Sequence, residues 1–173
     1  MLISLGGASL RSYRPEDAPL LARYANDAAV TAYMRESEAR RYTVDEAAAW
    51  IDVVRTQTPE CQFSIAADGA IIGGIGLDLQ PDVYAHSAEL SYWIAAPHWG
   101  RGHATRAVAA LTDHAFFTLG LARLYARVFD GNLASQRVLE KCAYRPEGRL
   151  RQAVLKDGRY ADQMLYAKLR AEH

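Results

Sequence analysis

A glycine-rich turn between an apolar strand and an apolar helix is the feature that most constrains this sequence. The turn, residues 99–105, reads WGRGHAT. Residues 89–96 before it are rich in β-forming side chains, and residues 106–119 after it carry apolar side chains at helical spacing. Such a turn leaves the first backbone N–H groups of the helix without partners, at the positive end of the helix dipole. The pattern therefore indicates either a phosphate cradle or an ordinary strand-to-helix turn.

The bulk composition narrows the class of protein. The chain has 173 residues, of which 50% are apolar and 23% are charged, so we expect one globular domain over residues 1–173 with a core of about 8–170. Lys and Arg total 20, as do Asp and Glu, so the basic excess typical of nucleic-acid-binding proteins is missing. The first ten residues lack the pattern of a signal peptide, and no apolar run is long enough to cross a membrane. These features predict a cytoplasmic protein.

Hydrophobic periodicity predicts a mixed α/β protein. Strands are predicted at 8–13, 61–67, 70–79, 84–94, 121–129, 143–155 and 159–169. Helices are predicted after Pro15, at 27–33, after a capping box formed by Thr43 and Glu46, at 106–119 and at 133–142, with a loop at 35–41. The central strand–helix–strand unit requires a parallel crossover, whereas the hairpins on either side of it require antiparallel pairs.

Two common phosphate ligands do not fit the turn. Gly100, Gly102 and Thr105 resemble a dinucleotide fingerprint, but the third position is not glycine, and residues 114–129 contain no acid to bind a ribose. The Walker A pattern of nucleotide-binding loops is absent from the sequence. The five histidines are scattered without metal-ligand spacing, so no metal site is predicted.

Several stretches together resemble the GNAT superfamily of GCN5-related N-acetyltransferases, in its RimJ/RimL-like branch, which acetylates the N-termini of ribosomal proteins. They are the opening at 14–17, the strand at 89–94, the turn at 99–104, the segments 132–135 and 138–141, and the closing hairpin with Asp157, Gly158, Tyr160, Asp162 and Tyr166. The resemblance implies an α/β (α+β) GNAT fold. Such a fold has a mixed, mostly antiparallel sheet of six to seven strands, a V-shaped splay between two central parallel strands, and helices on both faces.

The resemblance also implies acetyl-CoA as co-substrate. Backbone groups of the turn are expected to hold its pyrophosphate, at Gly100, Arg101, Gly102, His103, Ala104 and Thr105. For Arg101, a solvated loop side chain is an equal alternative. The backbone of Trp93, Ile94 and Ala95 is expected to pair with the pantetheine arm, as is the side chain of Asn132, while Ser135 is expected near the sulfur.

The implied reaction is direct attack of a neutral amine on the thioester. Glu89 is the lone acid of its strand, at the family's position for a general base; a salt-bridged or edge glutamate is the alternative. A backbone N–H near Ile94 is expected to polarise the thioester carbonyl. Ser135 is expected to protonate the leaving thiolate, because Leu139 stands where many relatives carry tyrosine. Tyr144 is a further candidate acid, although a core role is favoured for it.

The acceptor is harder to assign from the sequence. An α-amine has a pKa of about 8, against about 10.4 for lysine, so a single modest base suits a protein N-terminus or a small amine. Tyr33, Met34 and Tyr160 are expected to line the acceptor site, and Trp50 is favoured as a core residue. The acids Glu36, Glu38, Asp45 and Glu46 keep open a small-molecule acceptor such as an amino acid, a polyamine or an antibiotic. A non-catalytic acyl-CoA-binding module is the third possibility, and a monomer and a homodimer both remain open.

Overall fold

The computed structural model describes residues 2–34 and 42–173. The strands are β1 (Leu2–Ser4), β2 (Ser9–Arg11), β3 (Gln62–Ala67), β4 (Ala70–Leu79), β5 (Ser87–Ile94), β6 (Arg123–Phe129), β7 (Arg145–Lys156) and β8 (Arg159–Leu169). The helices are α1 (Ala18–Ala25), α2 (Ala28–Thr31), α3 (Val44–Arg55), α4 (His103–Phe117) and α5 (Leu133–Lys141). The loop predicted at 35–41, with Glu36 and Glu38, lies outside the described residues.

Within the described part of the chain, eight strands form a sheet in the order β1-β2-β3-β4-β5-β6-β8-β7. The pairs β1–β2, β2–β3, β3–β4, β6–β8 and β7–β8 are antiparallel, whereas β5 and β6 are parallel. This confirms the mixed, mostly antiparallel sheet. The strand count exceeds the predicted six to seven because β1 forms a hairpin with β2 across Gly6 and Gly7, which both have positive φ.

The chain divides into two compact units. The first unit comprises Met1–Gly76 and Tyr92–Ala110, and the second comprises Leu77–Ser91 and Leu111–His173. The strands β4 and β5 and the helix α4 each continue from one unit into the other. A single domain over residues 1–173 therefore stays a prediction. None of the helices in the described ranges has the length and apolar content that a bilayer span requires.

In the first unit, α1 and α3 pack on a common apolar core. The buried members of that core are Tyr13, Ala18, Leu21, Ala22, Ala47, Ile51, Val54 and Ile71. The predicted capping box begins α3: the Thr43 Oγ1 accepts from the Glu46 N–H at 3.1 Å, and the Glu46 carboxylate accepts from the Thr43 N–H at 2.8 Å. Trp50 packs against this core and meets Tyr13 edge-on at 5.0 Å between ring centroids, which confirms its core role.

Glycines in β4 let the last residues of β5 approach closely in the first unit. A Cβ added to Gly73 would collide with the Trp93 carbonyl oxygen, and one added to Gly74 would lie 2.6 Å from the Trp93 indole nitrogen. Only glycine fits at such distances. These contacts fix Trp93 and Ile94, two of the expected site residues, against β4.

In the second unit, α5 ends in a Schellman turn. The Tyr144 N–H donates to the Leu139 carbonyl, and the Ala143 N–H donates to the Glu140 carbonyl, both at 3.0 Å. Ala143 has φ +61° at the position where glycine is favoured. The helix therefore ends at Lys141, one residue before the predicted end.

Several other element boundaries differ from the sequence prediction by a few residues, and two of these differences have a clear local cause. The helix α4 begins at His103 rather than residue 106, because Gly102 supplies the left-handed turn from which the chain enters the helix. The strand β5 begins at Ser87, because residues 82–84 form a short 3-10 turn.

Candidate active site

The glycine turn of the first unit has the geometry of an anion cradle. Gly100 and Gly102 have φ values of +73° and +74°, which disfavour any residue with a Cβ. The Arg106 N–H makes the bond to the Gly102 carbonyl that begins the α4 hydrogen-bond ladder. Residues 103–105 therefore form the first helical turn, the position at which the backbone N–H groups of a helix point outward. Apart from its two chain neighbours, a Cβ on Gly100 would meet no atom of the described residues within 4 Å, so this side of the turn is open with respect to them.

The Trp99 side chain is hydrogen-bonded back to the last residue of β5. Its indole Nε1 donates to the Ile94 carbonyl at 2.6 Å, although 52% of the residue is exposed. The Ala95 N–H donates to the Ile72 carbonyl at 2.8 Å, and the Ala95 carbonyl accepts from the His98 N–H. Both backbone groups of Ala95 thus have partners within the protein, and the pairing of the Ala95 backbone with pantetheine stays a prediction. The Ile94 oxygen has a second lone pair and keeps its acceptor capacity.

A cationic cluster surrounds the turn. The Arg106 guanidinium donates to the Arg101 carbonyl at 3.2 Å and lies 3.1 Å from the His103 Nδ1. Within the part of the chain that the structure describes, its Nε is buried without a hydrogen-bond partner. Burial, followed by the charges of Arg106, His98 and Arg101, lowers the pKa of His103. A buried donor without a partner is costly, so its presence beside an open cradle fits a bound anion.

The first turn of α5 brings Asn132 and Ser135 together in the second unit. The Asn132 Oδ1 accepts from the Ser135 N–H at 3.1 Å and so caps the helix. This bond assigns the amide orientation and leaves Nδ2 as the donor, for which residues 2–34 and 42–173 provide no acceptor. The Gln136 side chain holds the start of the helix by donating to the Asp130 carbonyl at 2.7 Å.

Glu89 is buried and paired with Arg127, also within the second unit. Its side chain is 8% exposed, and its two oxygens accept from the Arg127 Nε at 3.0 Å and Nη2 at 2.5 Å. The parallel ladder between β5 and β6 covers only Ser87–Glu89 and Arg123–Tyr125, an early end that the predicted splay requires. The salt-bridged glutamate that the sequence left open is thus present, and Arg127 is a site residue that the sequence prediction missed.

The alternative thiolate acids lie in the core. Leu139 is fully buried, and no proton donor replaces the family's tyrosine at that position. Tyr144 is 2% exposed, and its hydroxyl lies 2.8 Å from the buried Thr112 hydroxyl. Its core role is therefore confirmed. Ser135, half-buried on the first turn of α5, remains the predicted acid.

The residues expected to bind the acceptor lie at the surface of their units. Tyr33, just after α2, is 47% exposed, and Met34 beside it is half-buried. Tyr160, in β8, is 70% exposed and pairs across the hairpin with Leu155. Among the described residues, no group of three or more His, Cys, Asp and Glu side chains could hold a metal ion.

Comparisons with known proteins agree with this arrangement. A family model described as an acetyltransferase (GNAT) domain matches residues 9–145. The uncharacterized N-acetyltransferase p20 of Bacillus licheniformis is 32% identical over 171 residues, covering 95% of this chain and 94% of p20. Among solved structures, RimJ of Mycobacterium smegmatis in complex with CoA-disulfide is 27% identical, with a TM-score of 0.84 over 97% of this chain and 84% of RimJ. RimL, a ribosomal L7/L12 α-N-protein acetyltransferase solved with coenzyme A, shares the fold at 18% identity and a TM-score of 0.87 over 98% of both chains.

Proposed function

The chain belongs to the GNAT family of acetyltransferases, and we propose that it transfers the acetyl group of acetyl-CoA to the α-amine of a protein N-terminus. The observation that carries this proposal is the open glycine turn of residues 99–105, with the buried Arg106 Nε beside it, which has no hydrogen-bond partner among the described residues. That arrangement fits the diphosphate of coenzyme A. The resemblance of the sequence to the RimJ/RimL-like branch, together with the similarity to RimJ over 97% of the chain, supports the acceptor class.

The turn would hold the cofactor through backbone and side-chain donors. Gly100, Arg101, Gly102, His103, Ala104 and Thr105 would surround the diphosphate, with N–H groups at the positive end of α4. Arg106 would add the charge of its guanidinium from the second turn of that helix. The backbone of Trp93 and Ile94, fixed against β4, would pair with the pantetheine arm. When bound, acetyl-CoA supplies the thioester that the amine attacks.

Glu89 would act as the general base. The bidentate pairing with Arg127 holds both oxygens of the Glu89 carboxylate in one orientation. A carboxylate has about four lone-pair sites, so it can accept from an amine or a water in addition to the guanidinium. Arg127 fixes the direction in which the carboxylate points, and we assign it as a positioning residue for Glu89.

Asn132 and Ser135 would act at the start of α5. The Asn132 Nδ2, directed away from the helix cap, is a donor for a pantetheine carbonyl. The Ser135 hydroxyl would donate a proton to the leaving sulfur. A thiol with a pKa near 8.5 is a good leaving group, so a weak acid suffices there.

A single base of modest strength, Glu89, favours an α-amine over a lysine side chain as the acceptor. At pH 7 about a tenth of α-amines are already neutral, but only about one lysine side chain in a few thousand is. Tyr33, Met34 and Tyr160 remain the proposed acceptor-binding residues. Glu46 is one of the four acids that kept a small-molecule amine open as the acceptor. Its side chain is already engaged in capping α3.

A thiol-release assay with acetyl-CoA tests the proposal. The acceptors are peptides with a free N-terminus, the same peptides with a blocked N-terminus, polyamines, amino acids and aminoglycosides. We expect release with the free peptides and none with the blocked ones. If turnover is confined to small amines, the acceptor is a small molecule rather than a protein N-terminus. Tight binding of acetyl-CoA with no turnover on any amine would show a non-catalytic acyl-CoA-binding module.

A further inference from the structure

The β7–β8 hairpin concentrates positive charge in a protein whose net charge is zero. Residues 145–169 contain six Lys and Arg but three Asp and Glu, which is a net charge of +3. Arg149 is neutralised by Asp130 at 3.0 Å and by Asp162 at 2.8 Å. The hairpin tip, defined here as residues 151–161, carries three Lys and Arg against one Asp, which is a net charge of +2.

Two arginines of the hairpin tip make no direct contact with an acid, although the charge of Arg151 helps to lower the pKa of Asp162. Neither Arg151 nor Arg159 forms a side-chain hydrogen bond or ion pair with any residue in the ranges 2–34 and 42–173, and both are exposed. Tyr160 and Leu155 form an exposed cross-strand pair in the same tip. An exposed guanidinium without a direct carboxylate contact is suited to bind a carboxylate of a partner chain.

The hairpin tip lies next to the start of α5. Pairing of β8 with β6 ends at Gln163 and Phe129, so the tip extends past the last residue of β6. The Asp162 carbonyl accepts from the Asp130 N–H at 3.0 Å, and Arg149 bridges the same two residues. Asp130 is two residues before Asn132, so a chain bound at the tip is adjacent to the proposed pantetheine-binding residue.

We infer that the hairpin tip binds acidic side chains among the first residues of the acceptor polypeptide. This inference rests on the proposed function and adds the charge of the acceptor to it. Arg151 and Arg159 would each bind a carboxylate of that segment. Two exposed cations suit a short acidic segment better than a nucleic acid, whose binding depends on many phosphate contacts.

Peptides of different charge, assayed with wild-type enzyme and with a charge-reversal variant, test the inference. Three peptides share one N-terminal residue and carry Asp/Glu, Gln or Lys at positions two to five. We expect kcat/KM for the acidic peptide to exceed that of the neutral peptide about tenfold at low salt, with the difference shrinking as salt rises. The variant Arg151→Glu/Arg159→Glu is expected to prefer the basic peptide. Arg137→Glu, an exposed cation of α5 in the same unit, is the matched control and should behave as wild type.

Binding of a dye-labelled acidic peptide, measured by fluorescence anisotropy, gives a readout that does not depend on turnover. We expect Arg151→Glu/Arg159→Glu to weaken this binding about tenfold and Arg137→Glu to leave it unchanged. Equal affinities in all three proteins would overturn the inference even if the enzyme acetylates peptides. Absence of turnover on every amine would instead contradict the proposed function, and the anisotropy would still decide the role of the tip. Displacement of the peptide by a short RNA at lower concentration than by free acidic peptide would also overturn it.

Discussion

Glu89 and Arg127 form a bidentate ion pair at the residue where the parallel ladder of β5 and β6 ends. Glu89 is in register with Tyr125, the last residue of β6 in this ladder. Arg127, two residues further along β6, reaches the Glu89 carboxylate diagonally. The pair both joins the two strands at their last contact and orients the proposed base. Removal of either side chain therefore affects two separate properties, the chemistry and the local stability.

Substitution of Glu89 by Gln is expected to slow turnover while leaving coenzyme A binding intact. The amide cannot accept a proton at neutral pH, so kcat should fall about 10²-fold or more, as is typical for loss of a general base. The loss should be greatest at low pH, where fewer amines are already neutral. Calorimetry with coenzyme A and a pH–rate profile are the measurements; an unchanged profile would remove Glu89 as the base.

The variants Arg127→Lys and Arg127→Gln separate positioning from structure. Lysine keeps the charge but not the bidentate geometry, so its kcat should fall while KM for acetyl-CoA stays unchanged. Glutamine should lower kcat further and also lower the free energy of unfolding, because Glu89 then stays buried without its cation. Equal kcat in wild type and the lysine variant would show that Arg127 has only a structural role.

Substitution of Gly102 by Ala is expected to weaken coenzyme A binding at least tenfold. The new Cβ would lie 3.1 Å from the Arg106 Nη1 and would occupy space in the proposed diphosphate site. Gly120→Ala is the matched control, because Gly120 has a similar φ of +72° and an open Cβ position outside the turn. Both variants carry a strain of about 1–2 kcal/mol, but only the first should change the affinity measured by calorimetry. Equal affinities would contradict the cradle.

Binding of coenzyme A is expected to raise the pKa of His103. In the free protein, burial and the nearby cations hold this pKa below 6.5, so the imidazole is neutral at pH 7. Because the unfolded chain then binds more protons, stability attributable to His103 rises with pH between the lowered pKa and 6.5. A bound diphosphate favours the imidazolium, so binding takes up a proton and becomes tighter as pH falls. NMR titration of His103 with and without coenzyme A measures this; identical pKa values would place the anion elsewhere.

Substitution of Ala143 by Gly is expected to stabilise the protein by about 0.5–1 kcal/mol. Ala143 has φ +61° at the end of α5, a conformation that costs a residue with a Cβ about 1–2 kcal/mol, partly offset by the greater backbone entropy of glycine. Denaturant unfolding gives the difference. A loss of stability would mean that the methyl group contributes more through packing than the strain costs.

The long elements could be predicted because their signals are local. The capping box at Thr43 and Glu46, the alternation in β3 and the Asp157-Gly158 turn each depend on neighbouring residues. The short strand β1 has too few residues for a periodic pattern, although Gly6-Gly7 is a hairpin signal that could have indicated it.

The partners of the site residues could not be predicted because they depend on register. Arg127 meets Glu89 only because of the exact offset between β5 and β6, which periodicity does not define. The hydrogen bond from the Ala95 N–H to the Ile72 carbonyl depends in the same way on the register between β4 and the end of β5. The candidate residues were thus visible in the sequence, but their hydrogen-bond partners were not.

The central claim is most directly tested by locating the acetyl group on a peptide that offers both kinds of amine. A peptide with a free N-terminus and an internal lysine is incubated with acetyl-CoA and the protein, then fragmented in a mass spectrometer. Acetylation of the α-amine, with the lysine unmodified, is the predicted result. Acetylation of the lysine alone, or no acetylation of the peptide at all, would contradict the claim.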